Sequence, residues 1–475
     1  MQFRQFYLGC LSHASYYLGS EGEAAVIDPQ RDVEQYIEEA SKHNQTIKYV
    51  IETHSHADFV SGHIELAEKT GAQIVYGQRA NTQFPTRKVK DGDLLEVGAI
   101  TLTFRETPGH TPEGITIIAE ERSADTPVRM SAKHEQEVAA SGDADRSVRS
   151  PLKIFTGDTL FIGDVGRPDL VGSKGFTSEE MASMLFDSLN DKILPLPDDA
   201  EIYPAHGAGS MCGKNLSKET WSTLGEQRKT NYALQPMSRE EFVRLVTSDL
   251  TAVPIYFPMS AEKNLSGPVS LDVLEKPKPI SPEEIDKFEG IVIDVRSPDE
   301  YGRGHVPNSM NIGLGGQFAS WAGALLEIGS PLAIVATSQE QVDEAALRLA
   351  RVGHDTARAF ILFGDYDGDQ KAVAQVSVGE ANDFVSSGRN VQFLDVRRSG
   401  EYVSGHAADA EFRTLDSLAD NLAGLDPAAP TYVICQGGYR SSIATSILER
   451  AGFSELYNVT GGTAAWLKAE LPTQS

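Results

Sequence analysis

From Phe3 to about Gln235 short apolar runs alternate with helical stretches, among them Ala24-Ala25-Val26-Ile27, Lys48-Tyr49-Val50-Ile51, Gln73-Ile74-Val75-Tyr76 and Ile115-Thr116-Ile117-Ile118. Runs of this length, bounded by turn residues, read as strands, and their alternation with helices predicts an αββα sandwich. Gly62 to Lys69 reads as a helix. Charged and small residues from Glu121 to Ser150 break the pattern and read as a surface insertion with little core. An amphipathic helix is expected near Ser238 to Thr247, followed by an extended, Pro-containing piece from Ala252 to Pro258. Lys276-Pro277-Lys278-Pro279 has the composition of a semi-rigid linker, and a boundary belongs there.

Beyond the linker the chain repeats itself. Val292-Ile293-Asp294-Val295-Arg296, with Glu300-Tyr301 and Gly304-His305, recurs as Phe393-Leu394-Asp395-Val396-Arg397, with Glu401-Tyr402 and Gly405-His406. Repeats of this kind indicate two copies of one unit. Each copy alternates strand, turn and helix, which predicts a small parallel sheet covered on both faces. At 475 residues the chain exceeds the ~250–300 residues of a single core. We expect an α/β multidomain protein of three parts: 1–275 with the 121–150 insertion, 276–372, and 373–475.

Charge and cysteines narrow the function classes. Forty-two basic against 68 acidic residues give a net charge of −26, which disfavours nucleic acids and anionic membranes by repulsion. Three cysteines cannot build a disulfide framework, and Met1 to Phe6 opens no charged-then-apolar signal region. No run reaches the ~18 apolar residues of a membrane span. A reducing cytoplasm is the expected location.

The chemistry concentrates first at Thr53-His54-Ser55-His56-Ala57-Asp58-Phe59-Val60-Ser61-Gly62-His63, a ligand-rich turn at a strand's carboxyl end, where layered α/β folds place active sites. Three later motifs follow: Thr107-Pro108-Gly109-His110-Thr111, Thr156-Gly157-Asp158-Thr159-Leu160-Phe161 and Tyr203-Pro204-Ala205-His206-Gly207. Their order and type resemble the metallo-β-lactamase superfamily. The resemblance implies His54, His56 and His110 on a first metal, Asp158 between metals, and Asp58, the residue after it, and His206 on a second. Here that residue is Phe59, and a phenyl ring coordinates nothing.

Two imidazoles and one carboxylate with open positions suit non-haem ferrous iron, and His54, His110 and Asp158 could supply them. Gly163-Asp164-Val165-Gly166-Arg167-Pro168-Asp169 is similar to a loop of the persulfide dioxygenases, the superfamily branch that works this way. That likeness implies one Fe(II) per chain, with His56, Asp58 and His206 around the ligands. Arg167 and Tyr203 are the candidates to hold an anionic thiol carrier. Cys212 stands soon after His206, and two readings stay open, a persulfide-handling thiol or a bystander. Cys10 reads as packing.

A second chemistry lies in the last copy. The strand Thr431-Tyr432-Val433-Ile434 runs into Cys435-Gln436-Gly437-Gly438-Tyr439-Arg440-Ser441-Ser442, with a helix expected from about Ser442 to Ala451. Backbone N–H groups at Gly437 and Gly438, with the helix N-terminus, should hold Cys435 as thiolate and bind anionic sulfur groups. Arg440 adds a fixed cation, and Tyr439 belongs to the same cradle. With its upstream motif the segment resembles rhodanese domains, which implies a persulfide carried on Cys435. The first copy offers Thr337-Ser338-Gln339-Glu340-Gln341 at this step, has no cysteine, and reads as silent.

The whole chain therefore resembles fusions of a persulfide dioxygenase with rhodanese domains. The resemblance implies oxidation of low-molecular-weight thiol persulfides, such as glutathione persulfide, by O2 to sulfite and thiol, coupled to sulfur transfer between persulfide, sulfite and thiosulfate through Cys435. It further implies sulfide detoxification as the setting and a homo-oligomer as the assembly. The alternatives are a zinc thioester hydrolase of glyoxalase II type fused to a sulfurtransferase, and a sulfur-carrier scaffold without oxygen chemistry.

Overall fold

The computed structural model describes residues 1–122, 151–170, 175–214, 216–248, 250, 252–387 and 389–474, and the chain divides into two compact units, Met1–Val273 and Leu274–Ser475. The expected insertion at 121–150 lies outside the described residues, apart from Glu121 and Arg122.

In the first unit β1 (Gln2–Leu8), β2 (His13–Ser20), β3 (Glu23–Ile27), β4 (Thr46–Ile51), β5 (Gln73–Gly77) and β6 (Arg87–Val89) form one sheet in chain order. β7 (Leu94–Val97), β8 (Ile100–Glu106), β9 (Ile115–Glu121), β10 (Lys153–Gly157), β11 (Glu201–Pro204) and β12 (Ser222–Thr223) form the other, again in order. β1 to β3 are antiparallel and β3 to β6 parallel. In the second sheet β10 and β11 run parallel.

The αββα sandwich follows from strands that are apolar on both faces. In β3, Ala25 and Ile27 enter the core between the sheets, against Leu102, Phe104 and Ile117. Ala24 and Val26 face the other way, under Tyr36 and Ala40 of the helix Glu34–Lys42. On the far side Ala182 and Leu185, from the helix Ser178–Asp187, pack over Ile154 and Ile202.

The predicted helix after the ligand turn runs His63–Thr70, with Gly62 as its N-cap. Arg239–Thr247 is helical and capped by the Ser238 side chain. One expectation is corrected: the piece from Ala252 to Pro258 is not extended throughout, because Phe257–Ser266 is a helix with Pro258 in its first turn. Proline's fixed φ and missing N–H suit that position.

The second unit holds two five-stranded sheets. In spatial order the first is Lys278–Pro279, Ala357–Leu362, Leu332–Ala336, Ile291–Asp294 and Met310–Asn311; the second is Ala374–Val376, Leu456–Val459, Thr431–Ile434, Gln392–Asp395 and Glu411–Phe412. All of these pairings are parallel, so the internal repeat is a repeat of topology. Lys278–Pro279, inside the expected linker, is an edge strand, a position that tolerates proline. Ile293, Ile312, Phe318 and Leu349 of the first copy share one core with Leu394, Val433, Ile443 and Leu448 of the second.

The repeated signature is scaffold. Arg296 pairs with Asp294 and donates to the Gly304 carbonyl at 2.8 Å, and Arg397 does the same with Asp395 and Gly405 at 2.9 Å. His305 stacks on Tyr301 and His406 on Tyr402, with ring centroids 3.8 and 3.6 Å apart.

Candidate functional site

The carboxyl ends of β3, β4 and β10, the loop after β8 and the segment after β11 meet at one place and bring together Asp28, the turn Glu52–Asp58, His110, Asp158 and His206. His54, His110 and Asp158 converge there, each offering one ligand atom within 4.8 Å of the others. His110 Nε2 lies 3.3 Å and His54 Nε2 3.7 Å from Asp158 Oδ2. All three are buried, and among the described residues His54 Nε2, His110 Nε2 and both Asp158 oxygens find no hydrogen-bond partner. Buried polar atoms are rarely left unpaired, and a cation among these lone pairs would satisfy them together.

The tautomers follow from the neighbours. The Thr53 hydroxyl donates to Asp28 Oδ2 at 2.8 Å, so the 3.0 Å contact between Thr53 Oγ1 and His54 Nδ1 must use the imidazole's proton. His110 Nδ1 donates to the Arg167 carbonyl at 2.9 Å. Both histidines therefore turn an Nε2 lone pair inward, the orientation metal ligation requires. Burial holds the His54 imidazolium well below its usual range, His56 and His110 adding to it, and pushes His110 down to about 4. Burial, with Asp58 beside it, pushes the Asp158 carboxyl well up.

His56 points elsewhere. Its Nε2 lies 3.2 Å from Asp28 Oδ1 and 3.4 Å from Glu52 Oε2, and it groups with those acids or with His13 and His206 rather than with Asp158. His206 Nε2 lies 3.4 Å from Asp58 Oδ2 and 3.6 Å from Asp158 Oδ1. Phe59 is fully buried, its ring 4.1 Å from that of His13 and 4.5 Å from that of His56.

Cys212 is buried, and its sulfur lies within 4.8 Å of a candidate ligand atom on each of Asp58 and His206. Burial, then Asp58 and Asp158, push the thiol well up.

Two expected substrate contacts are placed otherwise. Arg167 is 3% exposed, and its guanidinium is clasped by Asp169 at 2.6 and 2.7 Å. Its backbone carries the work: the carbonyl orients His110, and the N–H donates to the Cys212 carbonyl at 2.9 Å. Tyr203 is buried among Phe3, Tyr16 and Phe155, with its hydroxyl donating to Glu201 at 3.0 Å. Neither side chain is open to a ligand at the cluster. Gly166, before Arg167, has no room for a side chain, since a Cβ would fall 2.0 Å from the Asp158 carbonyl oxygen.

Sequence reasoning missed four contributors. His13 is fully buried, donates from Nε2 to the Asp28 carbonyl at 2.9 Å and leaves Nδ1 unpartnered. Glu52 braces both His56 and His63; an acid ending the apolar strand Val50-Ile51 was its legible signal, and Asp28 after Val26-Ile27 carries the same one. Asn264, on the missed helix, donates to the His56 and Phe59 carbonyls at 2.8 Å and accepts from Ser61 N at 2.9 Å. Nothing local in the sequence marks His13 or Asn264.

In the second unit Cys435 is 1% exposed at the end of Thr431–Ile434. Its Sγ accepts from Gly438 N–H at 3.1 Å and the Ser441 hydroxyl at 3.4 Å. The helix begins at Tyr439, earlier than expected, and runs to Arg450 with Gly438 as N-cap at φ +102°. Its N-terminus thus abuts the sulfur. Gly437 is exposed beside it. Arg440 is bound by Glu401 through two contacts of 2.7 Å. Tyr439 donates to the Gly313 carbonyl of the first copy at 2.8 Å. At the corresponding place in that copy Ser338 caps the helix Gln339–Arg351, and no thiol is present.

Comparison with known proteins agrees with this division. Residues 8–124 match the metallo-beta-lactamase superfamily, and residues 281–372 and 377–469 match the rhodanese-like domain. Human persulfide dioxygenase ETHE1 is 30% identical over 242 residues, covering 49% of this chain and 75% of that protein. The hydroxyacylglutathione hydrolase GloC of Haemophilus influenzae is 25% identical over 240 residues, 46% of this chain and 90% of that one. A crystal structure of a metallo-beta-lactamase from Staphylococcus aureus covers 76% of this chain and 99% of its own, at 32% identity and a TM-score of 0.65. The chain belongs to the metallo-β-lactamase superfamily, with the ETHE1 persulfide dioxygenases, and joins that domain to two rhodanese-like domains.

Proposed function

We propose that the first unit oxidises low-molecular-weight thiol persulfides, such as glutathione persulfide, with O2 to sulfite and thiol, at one ferrous ion per chain held by His54, His110 and Asp158. The observation that carries this reading is the convergence of three buried, unpartnered donors beside a pocket where Phe59 supplies none. Two imidazoles and a carboxylate suit ferrous iron, which would supply open positions for dioxygen and a sulfur anion. The chain's own part is to fix both histidine tautomers through Thr53 and the Arg167 carbonyl, and to keep water out by burial. His56, Asp58 and His206 surround these ligands, and Cys212 lines the site beside Asp58 and His206.

Cys435 carries the second chemistry. Its sulfur, held by Gly438 and Ser441, would accept and return a sulfane sulfur, exchanging it between persulfide, sulfite and thiosulfate. Sulfite is what the first reaction makes, so a tether raises its concentration near the second site. The setting is sulfide detoxification in a reducing cytoplasm, which the free cysteines fit. Among the described residues no helix is long and apolar enough to cross a membrane.

One observation favours a second reading. Asp58, His206 and Cys212 also form a group able to hold a metal, and a thioester hydrolase with two zinc ions would use such a neighbour. Metal analysis and oxygen uptake on glutathione persulfide separate the two. One iron per chain with uptake that survives Cys435→Ser, while sulfur transfer is lost, supports the proposal. Two zinc ions with thioester cleavage and no uptake would overturn it.

A further inference from the structure

A cavity of about 300 Å³ opens over Cys435, and its walls come from both copies of the second unit: Arg398, Glu401 and Arg440 from the last, Gln317 and Trp321 from the cysteine-less first. That volume is at the low end for ligand sites, ~300–1,000 Å³, and suits a small inorganic anion. The obvious cation is already spent. Both terminal nitrogens of Arg440 donate to the two oxygens of Glu401, the fork-on-fork pairing that satisfies guanidinium and carboxylate together. Arg398 is different. It is half-buried in the same wall, and among the described residues no carboxylate lies within ion-pair distance of its guanidinium. Of three charges on this wall, two cancel, and the surplus is the Arg398 cation.

The opposite wall is held in register with the catalytic loop. Tyr439 donates to the Gly313 carbonyl, and Gly316 is bare because a Cβ there would fall 2.5 Å from the Tyr439 ring. The helix Phe318–Leu325 follows directly and presents Trp321, 8% exposed.

We infer that Arg398 is the cation that receives the sulfonyl oxygens of thiosulfate at Cys435, and that the silent copy's Trp321 and Gln317 form the wall that limits the donor's size. The inference rests on the sulfur-transfer reading of Cys435. In the step it serves, the Cys435 thiolate attacks the outer sulfur of thiosulfate, a sulfur–sulfur bond forms, and the old one breaks with its electron pair leaving on sulfite. Arg398 holds the same three oxygens before and after. A nucleophile such as cyanide then takes the outer sulfur and returns the thiolate, so no external oxidant or reductant enters.

The test uses the full chain with thiosulfate as donor and cyanide as acceptor, reading thiocyanate. Arg398→Gln should raise KM for thiosulfate about tenfold, the size of one charge-assisted contact, with kcat little changed, and Arg398→Lys should recover most of it. Glu401→Gln, which frees Arg440, should move KM the other way. Trp321→Ala should raise kcat/KM for benzenethiosulfonate relative to methanethiosulfonate, a ratio that loss of folded protein leaves untouched. An active wild type whose KM ignores Arg398→Gln, or whose donor ratio ignores Trp321→Ala, would overturn the corresponding assignment alone. A wild type that forms no thiocyanate would remove the sulfur-transfer reading itself, and the inference with it.

Discussion

Asp158 shows how one carboxylate can decide a site. Burial pushes its acid well above the ordinary range, so without a cation the proton stays on, and metal binding must displace it. The sign follows: as pH falls the proton competes better and iron binds more weakly, while above neutrality binding strengthens. As pH falls through the raised range of this carboxyl the apparent metal affinity should drop by up to about tenfold per unit, one proton leaving per ion bound. Calorimetry in buffers of different ionisation enthalpy measures that proton directly. Phe59 is the other residue that bears on the metal count, a fully buried ring that offers no donor. Phe59→His should raise zinc content from one toward two per chain in zinc-rich medium and lower oxygen uptake, as read by metal analysis and an oxygen electrode.

At the scale of elements, the ligand turn after β4 is irregular backbone packed in the interior, and such backbone needs partners. Asn264 supplies three of them from the helix Phe257–Ser266. Asn264→Ala leaves buried carbonyls and an N–H unpaired and should cost about 3 kcal/mol, seen as a lower denaturant midpoint together with faster iron loss. In the second unit the Cys435 loop depends on Gly438, whose φ of +102° is a region most side chains avoid. Gly438→Ala should cost about 1–2 kcal/mol and draw the N–H away from the sulfur, so that sulfur transfer falls by more than the stability loss explains.

For the molecule as a whole, the chain is one domain followed by a fused pair. The two rhodanese-like copies share a hydrophobic core and a buried crossing contact, in which Glu449 accepts from His305 Nε2 at 2.9 Å and from Asn308 N at 3.0 Å. A pair so joined should unfold in one transition. Removing the acid strands both donors, and Glu449→Ala should lower the stability of that unit by about 3 kcal/mol without splitting the transition, as urea unfolding followed by fluorescence and by circular dichroism would report. The cysteine-less copy thus packs into the core of the last one and lends Gln317 and Trp321 to the cavity over Cys435.

Much of this was legible in the letters alone. The apolar runs of β3, β4, β5 and β9 dictated the strands, because burial on both faces demands unbroken hydrophobicity, and the Asp-Val-Arg repeat dictated the duplication. The grouping of His54, His110 and Asp158 and the place of Cys435 were readable because their motifs follow strands, where local sequence sets the geometry. Other features belong to tertiary structure. Arg167 and Tyr203 were expected to face a substrate, and the structure places both side chains in the interior against Asp169 and Glu201, since exposure is a property of packing. Arg440 looked like the free cation until Glu401, from another element, closed on it. His13 and Asn264 act across more than forty and two hundred residues of chain, and no local pattern encodes a partner at that distance. Sequence determined which chemistry could be present; the packing of distant elements decided which donors remain free to perform it.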